Sequence, residues 1–158
     1  MLIRKFLENY GSTTISFKQM SDKYHLTILA DGFIKDIFHR IVAIYVDDIG
    51  VMIGFSLTNK TCQTFLDILQ NAKHVPIGVQ LFDHKNKITR ASLVIDKIDV
   101  SLIDNQIISD YMRNNQITGE IYVRRSTFIK YNEKMELLEY VLPSLEQLLN
   151  KYKDKEIK

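Results

Sequence analysis

Apolar and polar residues alternate over several stretches of this chain, the period-two pattern of strands. Thr13 to Gln19 (TTISFKQ), rich in β-branched and aromatic residues, predicts a first strand. Phe38 to Tyr45 and Val51 to Thr58 flank Asp47-Asp48-Ile49-Gly50, which reads as a hairpin turn. Thr89 to Val100 predicts another strand. Glu120 to Tyr131 and Lys134 to Leu142 bracket Asn132-Glu133, and Asn tolerates the positive φ of a two-residue turn. Three segments carry helical spacing instead. Cys62, Phe65, Leu66 and Leu69 recur at i, i+3, i+4, i+7 within Thr61 to Asn71. Ile103, Ile107, Ile108 and Tyr111 form a shorter stripe within Ser101 to Asn114. Leu145, Leu148, Leu149 and Tyr152 follow Pro143, a favourable first-turn residue. A weaker helix is expected over Arg4 to Tyr10. Strands outnumber helices and most join by short turns. The pattern predicts an α+β fold with a mainly antiparallel sheet and helices packed on one side.

At 158 residues the chain suits a single domain over 1–158, with the charged stretch 151–158 (KYKDKEIK) as a tail. The 46% apolar and 25% charged fractions are those of a globular chain with its own core. A net charge of +2 excludes a strongly basic nucleic-acid binder by bulk electrostatics. One cysteine, Cys62, excludes an internal disulfide framework or a multi-cysteine metal site. No apolar run reaches the roughly 18 residues of a membrane span, and no signal peptide is legible. A cytoplasmic protein with no nucleic-acid or membrane partner is the expectation. Oligomeric state is not legible.

Charges in apolar settings point to a site. Met135, Leu137, Glu139 and Val141 share one strand face, so a carboxylate sits among apolar side chains. Arg40 likewise shares a face with Val42, Ile44 and Val46. Two such residues suggest a polar site on the concave side of the sheet; the alternative is a structural ion pair, or a strand end where each head group reaches water. Arg124 and Arg125 alternate across their strand. Arg125, sharing a face with Val123, Thr127 and Ile129, is expected to point inward, and Arg124 to solvent. His25, His39, His74 and His84 lack metal-ligand spacing, so no metal is expected. Ser92, Ser101 and Ser126 lack the G-x-S-x-G context of a hydrolase nucleophile.

These residues lie in segments that resemble the chorismate pyruvate-lyases. YVRRSTFIKYNEKMELLEYVLP resembles that family's C-terminal hairpin, an Arg-rich strand, a tight turn, and a strand ending in Glu, apolar residues and Pro. Val75-Pro76-Ile77-Gly78 resembles its Pro-(Leu/Ile)-Gly segment, and Ile88-Thr89-Arg90 the opening of its next strand. His39-Arg40-Ile41-Val42 through Phe55-Ser56 resembles its Arg-led hairpin, and RKFLENYGSTTISF its opening helix and first strand. The pieces run in the family's order from about Arg4 to Pro143. The turn DDIG departs from the family's usual Asp-Gly-x-Pro, and the longer Asp96 to Gly119 region is closer to the archaeal branch.

The resemblance implies a six-stranded antiparallel sheet with a ligand buried under flaps. It implies cofactor-free conversion of chorismate to 4-hydroxybenzoate and pyruvate. Arg40 then maps to the carboxylate-binding Arg, Glu139 to the acidic residue near the ring hydroxyl, and Ile77, with Gly78 beside it, to a backbone contact. Arg40 suits the task because its planar fork grips carboxylates bidentately. Glu139 could donate if protonated or accept if ionised. Arg125 and Arg90 are candidates for the enolpyruvyl carboxylate. The runner-up is a non-catalytic sensor domain binding an aromatic carboxylate, since effector-binding domains of some bacterial transcription regulators share this fold. Such regulators carry a winged-helix domain in front, and these 158 residues leave no room for one, so the sensor would stand alone.

Overall fold

The computed structural model describes residues 2–8 and 12–153. Six strands form one antiparallel sheet: β1 (Tyr24–Ile34), β2 (Ile37–Val46), β3 (Ile49–Asn59), β4 (Thr89–Asp99), β5 (Glu120–Lys130) and β6 (Glu133–Val141). Their spatial order is β1-β2-β3-β6-β5-β4. The helices are α1 (Leu2–Leu7), α2 (Thr13–Met20), α3 (Gln63–Ala72), α4 (Gly78–Leu81), α5 (Gln106–Asn114) and α6 (Ser144–Tyr152). This is the α+β antiparallel architecture the patterning predicts.

The main helical layer covers the sheet face that carries Val42, Ile44, Met52 and Val141. α1, α2 and α6 pack there through Ile3, Leu7, Phe17, Met20, Leu145 and Leu148. Further along the same face, Phe65, Leu69 and Ala72 of α3 meet Phe38, Phe128 and Met135. The short α5 lies against the opposite face, where Ile108 and Met112 pack on Ile41, Ala43, Ile53 and Tyr140. Both faces of the central strands are therefore buried.

Four details differ from the sequence expectation. Thr13–Met20 is a helix and not a strand. The Ser12 side chain caps it by accepting from the Ile15 amide, and Thr13, Phe17 and Met20 reach the core at helical spacing. Capping and burial override the β-branched composition. The edge strand β1 was not expected; its exposure hides the alternation, and a bulge between Ile28 and Ala30 breaks its register. The β5–β6 turn is Tyr131-Asn132, one residue earlier than expected, with the positive φ on Tyr131. α6 runs to Tyr152, so Lys151 and Tyr152 of the expected tail are helical, while 154–158 lie outside the described residues, as do residues 9–10 of the expected first helix.

Candidate functional site

The site follows from which side chains the central strands present to the helical layer. Pairing registers place Val42, Gly54, Glu139 and Arg124 in one cross-strand row, and Arg40, Ser56, Leu137 and Ser126 in the next. The middle strand β3 thus contributes only Gly54 and Ser56 to these two rows. Small residues on the floor, under covers built from α2 and the α3–α4 connection, leave a cavity of about 50 Å³. That holds a few waters, well below the roughly 300–1,000 Å³ of ligand-filled pockets, so a ligand enters only if a cover moves.

Arg40, Arg90, Arg124 and Glu139 all line this cavity, together with Ile77 and Gly78. Glu139 is 3% exposed and Arg124 1% exposed. Arg124 Nε donates to Glu139 Oε1 at 2.7 Å, and the Thr13 hydroxyl donates to Oε2 at 2.9 Å. Arg124 Nη1 also donates to the Leu7 carbonyl at 3.2 Å. Glu139 therefore accepts on both oxygens and ties the start of α2 to the sheet. Arg40, 2% exposed, reaches the other cover. Its Nη2 donates to the carbonyls of Lys73 at 2.8 Å and Val75 at 3.2 Å. Burial holds the Arg40 pKa below the ordinary arginine value, with Asp31 and Tyr24 acting in the opposite direction.

The Arg90 guanidinium lies against an edge-to-face pair of rings, 5.0 Å from the centroid of Phe82 and 5.2 Å from that of Phe128. Burial, and then the charge of Arg124, lower its pKa to about 10, against the pull of Glu139. The Tyr24 hydroxyl is buried at the same cavity, and burial raises its pKa. Gly78 meets α2 at close quarters: a Cβ there would run into the Ser12 hydroxyl. The two covers thus touch, and only a glycine allows the contact.

Arg125 does not join the site, and Arg124 does. Arg125 projects from the opposite face, half exposed, with Asp96 4.0 Å away. The expectation placed Arg125 inward because Val123 and Ile129 look like core positions. Val123 is indeed fully buried, but on the α5 side. Sequence reading also missed Thr13, Tyr24, Gly54 and Ser56. A signal for Arg124 existed: any two-residue turn after β5 puts the even-numbered residues of that strand on the Glu139 face. Among the described residues no group of three or more His, Cys, Asp or Glu side chains is placed to hold a metal ion. No helix of the described residues is long and apolar enough to cross a membrane.

No family model matches the chain, and no curated protein matches it. Solved structures do match. The C-terminal domain of the histidine utilization repressor from Pseudomonas syringae pv. tomato superposes with a TM-score of 0.52 at 14% identity, over 77% of this chain and 92% of that one. PhnF from Mycobacterium smegmatis gives 0.58 at 9% identity, over 87% of this chain and 66% of that one. The possible transcriptional regulator YydK from Bacillus subtilis gives 0.52 at 13% identity, over 75% of this chain and 57% of that one. The chain thus spans about two-thirds of the length of PhnF and under three-fifths of that of YydK. At these identities the likeness is one of fold, the six-stranded antiparallel sheet of chorismate-lyase type. The comparisons correct the lyase activity that the resemblance implied. Two of the structures named above are a repressor's C-terminal domain and a possible transcriptional regulator, and neither is a lyase.

Proposed function

We propose that this chain is a ligand-binding sensor domain that takes a small aromatic carboxylate into the cavity beneath α2 and the α3–α4 connection. The observation that carries this reading is the charge of the cavity wall: Arg40, Arg90 and Arg124 against one carboxylate, Glu139. That formal excess of two positive charges is enclosed where solvent screens weakly, so an anionic ligand is favoured. Leu26, Val42, Ile44, Leu137 and the Phe82 ring complete the wall and suit an apolar ring. Arg40 supplies the planar fork for the carboxylate. The Ser56, Tyr24 and Thr14 side chains add polar groups for a ring substituent. Glu139, already held by Arg124 and Thr13, acts by positioning.

The repressor domain and the possible transcriptional regulator that share this fold support binding over turnover. The reading treats 1–158 as one such domain, in the cytoplasm. The test is thermal denaturation and calorimetry with benzoate and 4-hydroxybenzoate against benzamide, the neutral isostere. The carboxylates should raise the melting temperature and benzamide should not. Arg40→Lys should weaken benzoate binding by roughly 10- to 100-fold, because the fork is lost. Equal stabilisation by benzamide, or none by either acid, defeats the reading.

A further inference from the structure

Arg40 does more than face the cavity; it holds down one of the covers. The segment after α3 turns sharply at Ala72-Lys73-His74-Val75, closed by the Val75 amide donating to the Ala72 carbonyl at 2.7 Å. Lys73 has φ 48 and ψ −119, a backbone conformation that glycine adopts freely and lysine does not. Such a conformation persists only where surrounding contacts hold it. Besides its own Val75–Ala72 bond, the turn is held by two carbonyl bonds from Arg40, to Lys73 and to Val75. Immediately beyond it, Pro76, Ile77 and Gly78 form the cavity's cover.

Both of those bonds come from one nitrogen. Nη2 carries two N–H groups, and each is given to a carbonyl. A guanidinium grips a carboxylate through one of two forks, Nε with Nη2 or Nη1 with Nη2. Either fork needs an Nη2 hydrogen. A carboxylate bound bidentately at Arg40 therefore takes a hydrogen away from Lys73 or Val75. The exchange is favourable because a charged acceptor replaces a neutral carbonyl.

We propose that Arg40 is a ligand-released latch: an anion bound at the guanidinium takes an Nη2 hydrogen from the Lys73 or the Val75 carbonyl, and the strained 72–78 segment relaxes. Ligand occupancy is thereby converted into rearrangement of a surface segment in which Val75 is already 56% exposed. The released state also leaves room for a ring, which the closed cavity does not, so the ligand favours the released state. This rests on the anion-binding reading above and adds the response to it. Coupling runs both ways, so whatever stabilises the latched turn weakens the ligand.

Hydrogen exchange over 72–80, read with calorimetry on the same full chain and using benzoate as probe, tests the latch. Benzoate should speed exchange in 72–80 while β5 and β6 stay protected. Arg40→Met without ligand should speed the same region. Lys73→Gly, which removes the strain and retains every site residue, should raise the melting temperature and weaken benzoate by about fivefold or more. Benzoate that binds the unaltered protein but leaves 72–80 unchanged or slower overturns the latch and leaves the site reading intact. An unchanged or higher affinity in Lys73→Gly also overturns it. No benzoate binding at all defeats the site reading, and the release with it. Should Arg40→Met fail to fold, the Lys73→Gly arm decides alone.

Discussion

Arg124 and Glu139 stand directly opposite one another on β5 and β6, joined at 2.7 Å with both side chains at most 4% exposed. A buried pair of this kind is viable only because its remaining hydrogen-bonding capacity is also met. Here the Thr13 hydroxyl donates to the second carboxylate oxygen, and the Leu7 carbonyl accepts from a second guanidinium nitrogen. The pair therefore fastens α1 and α2 to the sheet as well as charging the cavity wall.

Cutting that pair on one side should cost more than removing it whole. Glu139→Leu leaves Arg124 buried and uncompensated, at about 3–5 kcal/mol. The double variant Arg124→Met, Glu139→Leu should recover most of that loss. Urea denaturation of the two single variants and the double variant measures the coupling. Additive losses would mean the two charges do not stabilise each other.

Gly78 is where the two covers meet. Gly78→Ala places a methyl against the Ser12 hydroxyl, so α2 and α4 must separate. Overpacking of this kind costs about 1–3 kcal/mol. Thermal denaturation should show the loss, and exchange of the α2 amides should rise. An unshifted melting temperature would show that the covers part without cost.

Asp47 should confer a pH-dependent stability far from the cavity. Hydrogen bonds from the Ser21 and Tyr152 hydroxyls, and then from Lys151, hold its carboxyl down to about 2. The ionised form is thus favoured in the folded state. Its contribution is complete above the unfolded value of about 3.9 and disappears as pH falls towards the folded value. Asp47→Asn should melt earlier at pH 7, with the gap to the unaltered protein closing between about pH 4 and pH 2. A gap constant across that range would assign the effect to packing.

Arg90 offers a third check. Arg90→Met keeps a long apolar stem against Phe82 and Phe128 while removing the charge. The melting temperature should change little, and benzoate affinity should fall about tenfold through the lost electrostatic attraction. Full retention of affinity would place the ligand away from the β4 side of the cavity.

Much of the architecture is determined by local patterning. The β2–β3 and β5–β6 hairpins, β4, and the apolar stripes of α3, α5 and α6 stand close to where periodicity puts them, because each strand or helix buries a face at its own repeat. Glu139 and Arg40 were legible for the same reason, as charges among apolar neighbours on one strand face. The inward orientation of β5 was not. Alternation selects the more apolar side of a strand, yet here the apolar side packs under α5 while the polar side, with Arg124 and Ser126, faces the cavity. When both faces of a sheet are covered, hydrophobicity no longer says which face holds the site. Nor does it foresee α2, whose β-branched residues become helical because Ser12 caps the first turn and Phe17 finds the core. Only tertiary packing brings Thr13, Lys73 and Gly78 over the sheet from elements distant in sequence, and their contacts with Glu139, Arg40 and Ser12 close the cavity.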